Sequence, residues 1–216
     1  RRVTSSAWLV AAGLAASLLG LLAIVGRFAL GWPDHGLHSL LSLSYEGNLP
    51  TWYASTLAFV CALLLFAWAR GLPRDRAHVR LLGVGFVAIS IDEQIGLHEM
   101  LSEPFQYTAP ALHFGWVVPA GLAVLALAAA YLPFLRRLPR RTAARFLLAG
   151  ALYVGGALVM ELPLGAWTSA HGDDGLGYAL LDWLEETLEL AGLTLFARGL
   201  LPLARAAPLE SPAGMR

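Results

Sequence analysis

The sequence predicts an all-α fold, a polytopic membrane bundle of six transmembrane helices with both termini cytoplasmic. Composition points there first: 57% of the chain is hydrophobic and 14% charged, against about 25% charged in typical soluble domains. Apolar runs near the ~18–20 residues that a helix needs to cross a bilayer then recur six times. Finally, the charges sort by loop, as the positive-inside rule requires.

The first run, Ala7 to Phe28, exceeds the roughly 7–15 residues of a signal-peptide core and is expected to persist as a spanning helix. The next three cover Thr51 to Ala69, Leu81 to about Leu101, and Ala111 to Leu132. The fifth covers Ala144 to about Leu164, where Pro163 is expected to kink or end the helix. The sixth runs from about Leu176 to Ala197. Short connections make consecutive helices antiparallel neighbours. The longest outer connection, Gly31 to Pro50, contains "LHSLLSLSY", which reads equally as an interfacial helix or an ordered loop. Residues 1–205 make one transmembrane domain, and the Pro- and Ala-rich residues 206–216 are expected to be a disordered cytoplasmic tail.

All 15 basic residues are arginine, and 14 of them fall before the first run, in the second and fourth connections, or after the sixth. Arg27 is the exception. Those arginine clusters set the topology, and they would also be drawn to anionic inner-leaflet lipid. Trp52, Tyr53, Trp116, Tyr178 and Trp183 are expected at the outer interface and Tyr131 at the inner one. The expected partner is the lipid bilayer, with a homo-oligomer or a membrane-complex subunit as further candidates. No nucleic-acid-binding motif occurs. Cys61 is the single cysteine, so an internal disulfide is excluded and a small core residue is expected.

Within these greasy runs lie acids. The third carries "SIDEQIGLHE" and the sixth "DWLEETLE", each with an Asp followed seven residues on by a Glu. An ionisable group at a helix centre costs about 2.5–3.5 kcal/mol on insertion scales, so these side chains should turn inward. Asp92, Gly96 and Glu99 fall at i, i+4 and i+7, on one helical stripe beside Glu93. Counting about 1.5 Å per residue from the flanking arginines gives two tiers. Asp92, Glu93, Glu185, Glu186 and Glu189 lie near the midplane. His98, Glu99, Glu161 and Asp182 lie towards the outer side, with His113 entering from the fourth helix and Glu46 above. No basic residue lies at that depth, so protons or a bound cation must neutralise the acids.

The sharpest reading is a metal site, dinuclear and catalytic in its fullest form, with Asp92, Glu93, His98, Glu99, Glu161, Glu185, Glu186 and Glu189 as ligands. His113, Asp182 and Glu46 are additional candidates. Carboxylates with one or two imidazoles suit Fe, Mn or Zn. Bundle-type dinuclear sites use Glu-x-x-His, which is absent from this sequence. A proton- or cation-coupled transporter uses the same buried acids, and a structural subunit could satisfy them by interhelical hydrogen bonds. His35, His38, His78 and His171 read as loop or interface residues, and the "SAHGDDG" segment as a solvated turn. The Gly-Asn of "YEGNLP" also reads as a turn. No Gly-x-Ser-x-Gly occurs, and the sixth helix has no histidine, which argues against the intramembrane zinc hydrolases of the alkaline ceramidase type.

Three segments, "EGNLPTWYAS" (Glu46 to Ser55), "SIDEQIGLHE" (Ser90 to Glu99) and "LEETLELAGLTLF" (Leu184 to Phe196), together resemble a widespread group of bacterial multi-pass membrane proteins with no assigned activity. The resemblance implies a bacterial plasma-membrane location and one shared site for these acids.

Overall fold

The computed structural model describes residues 6–207, except 101, 103 and 106 and the side chain of Glu99. Among the described residues the chain is helical, without strands. Helix α1 spans Ala7–Leu30, α2 Leu37–Leu41, α3 Leu49–Ala69, α4 Arg76–Ile95 and α5 Leu97–Met100. Then follow α6 (Val117–Arg137), α7 (Arg140–Val154), a π-helical segment (Gly155–Met160), α8 (Glu161–His171) and α9 (Leu176–Ala206). The "LHSLL" part of the outer connection is thus the short helix α2. Residues 208–216, most of the tail expected to be disordered, lie outside the described residues.

Five helices are long and apolar enough to cross a membrane: α1, α3, α6, the continuous Arg140–His171 rod, and α9. Helix α4 is not among them. It carries Arg80 near its start and Asp92 and Glu93 near its end, and it stops at Ile95 rather than near Leu101. The stop is Gly96, whose φ of 58° closes the helix with a bond from its N–H to the Asp92 carbonyl, 2.8 Å. A left-handed residue at this position is natural for glycine and strained for most others.

The fifth run is also altered. Of the two expected outcomes at Pro163, a kink or an end, the end does not occur: helix continues to His171. Immediately upstream the six-residue π segment widens the turn, which is how a helix accommodates a proline ring that clashes with the preceding turn.

Helix α9 is the hub, packing against α1, α3, α7, the π segment and α8. Around its second half lies an apolar core of Leu9, Leu57, Cys61, Leu65, Val79, Leu193 and Leu200. Phe86 and Phe196 stack within it at 4.8 Å. Close packing of these side chains gains many small dispersion contacts that together are large. Leu14, Leu18, Leu63, Leu122 and Leu125 are exposed on the outside of the bundle. The other half of α9, carrying the acids, faces a cavity.

Candidate functional site

A cavity of about 500 Å³ opens among the ends of α3 to α9 opposite the apolar core. Its acids arrive from four places: Glu46 from the segment before α3, Asp92 and Glu93 from α4, Glu161 from α8, and Asp182, Glu185, Glu186 and Glu189 from α9. His98, on α5, is the imidazole among them. Eight carboxyls and one imidazole therefore line one space, and among the described residues no arginine lines it. Arg27, which could have approached from α1, instead pairs with Asp34.

The broken helix builds the first corner. Because α4 ends at the left-handed Gly96, the chain turns there and brings His98 to Asp92. The Asp92 Oδ1 accepts the His98 backbone N–H at 2.8 Å, and Oδ2 lies 2.9 Å from Nδ1. The His98 ring sits 4.8 Å from the Trp116 ring, and Trp116 Nε1 donates to Glu161 Oε1 at 3.2 Å. Two hydrogen-bonded pairs joined by a ring contact thus link α4, α5 and α8.

The outer loop builds the second corner. Asn48 caps α3 by accepting from Thr51 N at 3.1 Å, and its amide donates to the carbonyls of Ser39 (2.9 Å) and Ser42 (2.6 Å). Thr51 Oγ1 donates to the Tyr45 carbonyl at 2.8 Å. These bonds clamp residues 42–48, so Glu46 is held over Gly96, where even a β-carbon would collide with its carboxylate. Ser44, in the same clamp, hydrogen-bonds Asp182. "EGNLPT" is therefore a built bracket rather than a plain turn.

The third corner is α9 against the π segment. A β-carbon at Gly156 would come within 2.7 Å of Glu189 Cγ and 2.6 Å of the Glu185 carbonyl, so glycine there lets the acidic face of α9 close in. Glu185 is 8% exposed, and its Oε2 has no hydrogen-bond partner among the described residues. A buried carboxylate oxygen left unsatisfied costs more than an ordinary lost hydrogen bond.

Of the candidates drawn from sequence, nine line the cavity: Asp92, Glu93, His98, Glu161, Glu185, Glu186, Glu189, Asp182 and Glu46. The Glu99 side chain lies outside the described residues. His113 does not line the cavity; it is exposed, with Nδ1 3.3 Å from Ser169 Oγ. Among the described residues no three His, Cys, Asp or Glu side chains already converge as a metal-ligand group. Trp116 and Tyr178, read from sequence as interface markers, line the cavity, as does Tyr153, which sequence reading passed over. Trp183 likewise points inward, donating to the Ser17 carbonyl at 2.9 Å. An aromatic at a helix end is ambiguous in sequence, because the belt and the cavity rim lie at the same depth.

The family model described as a domain of unknown function, DUF8692, matches residues 4–202. The chain belongs to that family. The match takes in every acid and aromatic of the cavity in this DUF8692 protein. No curated protein and no solved structure matches it.

Proposed function

We propose that this DUF8692 protein crosses the bacterial plasma membrane six times, with both termini cytoplasmic, and that its carboxylate-lined cavity binds metal ions from the outer side. Five long apolar helices support the topology, with α4 and α5 together making the third, interrupted crossing. The arginine distribution supplies the orientation.

The observation that carries the cation reading is Glu185, a buried carboxylate with one oxygen unsatisfied, facing a cavity with a surplus of acids and, among the described residues, no arginine. A cation of the Fe, Mn or Zn class repays that burial. His98 is the natural nitrogen ligand, because a metal-binding imidazole usually has its other nitrogen held by a carboxylate, as Asp92 holds Nδ1. Glu185, Glu186, Glu189 and Glu93 supply oxygens on long, rotatable side chains, and Glu99 is a further oxygen candidate. Glu161, tied to Trp116, anchors the far wall. One or two ions so held would activate bound water or simply brace the helices. Elemental analysis of gently purified protein tests this: stoichiometric Fe, Mn or Zn, lost in Glu185→Gln/Glu186→Gln, supports it. Trace metal in the wild type that the double variant leaves unchanged counts against it.

A second reading, a proton- or cation-coupled carrier, gains from the break at Gly96. Carriers commonly form their ion sites where a spanning helix is interrupted. It predicts cation- or pH-driven flux in liposomes that Asp92→Asn abolishes.

A further inference from the structure

At the opposite end of the bundle, about 440 Å³ of open space lies between the start of α7 and the end of α9. Its charged lining is entirely basic: Arg145 from α7, and Arg198 and Arg205 from α9. Helix contact holds them there. Gly199 meets α7 at Phe146, where an added β-carbon would come within 2.9 Å of the ring. Arg145 and Arg198 each precede one of these two residues, so the crossing sets them on facing walls. Arg205 follows Arg198 by two turns, about 10.5 Å along the same face. Neither Arg145 nor Arg198 forms an ion pair among the described residues. Leu195, Leu201 and Pro202 give the wall an apolar stretch, and Ser6 completes the lining beside Gly199.

We infer that this pocket binds the phosphate of an anionic phospholipid headgroup. Guanidinium groups on facing walls match phosphate oxygens in bidentate fashion. Basic pockets between spanning helices at the cytoplasmic surface are a recurring form of lipid headgroup site. The apolar wall beside the arginines favours a headgroup with its glycerol and acyl chains over a free ion. The arginines that orient the chain thereby gain a second use, and the site is independent of the acidic cavity.

The test titrates purified full-length protein with phosphatidylglycerol in mixed micelles and reads bound lipid by native mass spectrometry. Parallel arms use phosphatidylcholine and inorganic phosphate. Saturable binding of phosphatidylglycerol, absent with phosphatidylcholine, is expected to weaken about tenfold to thirtyfold in Arg145→Gln/Arg198→Gln. Arg140→Gln/Arg141→Gln, at the same end of the bundle but outside the pocket, should keep wild-type binding. Circular dichroism and thermal unfolding in detergent confirm that the variants are folded. Equal loss in both double variants would overturn the site in favour of diffuse surface charge. Saturable inorganic phosphate binding without a phosphatidylglycerol response would overturn the lipid assignment.

Discussion

The two oxygens of Asp92 grip His98 at both its backbone N–H and its ring Nδ1, at 2.8 and 2.9 Å. That pair converts a break in a helix into an oriented imidazole. If His98 is a metal ligand, Asp92→Asn should weaken Mn²⁺ or Zn²⁺ binding by about 10–100-fold. Isothermal titration calorimetry reads this directly. Unchanged affinity would leave the pair as a turn device only.

Gly96 joins the same corner to the outer loop. Gly96→Ala meets two obstacles, a left-handed backbone and the Glu46 carboxylate. The backbone part alone costs about 1–2 kcal/mol. Thermal unfolding in detergent should show the loss, together with weaker cation binding, because Glu46 must move.

Asn48 is the keystone of the outer bracket. Asn48→Ala removes the α3 cap and both carbonyl contacts, and the cap alone is worth about 0.5–2 kcal/mol. Asn48→Ser keeps a cap acceptor while losing the amide donors without adding a charge beside the two carbonyls, so its stability should fall between wild type and the alanine variant. Equal stability of the serine and alanine variants would mean that the cap contributes nothing.

His38, on α2 outside the spans, is buried against the edge of Tyr45, with ring centroids 5.6 Å apart. Burial, and then the nearby Arg27 charge, hold its pKa below the ordinary value of about 6.5. The folded state therefore keeps His38 neutral, while the unfolded chain takes up a proton first. Its contribution to stability is intact above about pH 6.5 and is lost as pH falls through the lowered folded pKa. His38→Phe should flatten this acid limb of the pH–stability curve, measured by thermal unfolding from pH 5 to 8.

Sequence reading could locate the acids because a carboxyl inside an apolar helix has only the bundle interior to face. Asp92, Glu186 and their neighbours could be placed in one cavity on that ground. The break at Gly96 was hidden: its i+4 spacing from Asp92 suited a continuous stripe equally well. For Asn48 and Ser44, the bonds that matter reach across a loop whose path no periodicity specifies. His113 shows what a depth estimate leaves open, since it says nothing of direction: the ring lies beside Ser169, outside the cavity lining. The π segment was equally silent; Pro163 signalled a disturbance but not its form.

Acids of α4, α8 and α9 share one space, and the proposed function requires that space to hold a cation. Anomalous diffraction at the manganese edge, from crystals grown with Mn²⁺, tests this most directly. The expected result is a peak inside the cavity, about 2.0–2.5 Å from carboxylate oxygens of the α9 acids. A cavity without anomalous density, or helices α4 and α9 turning their acids towards lipid, would contradict it.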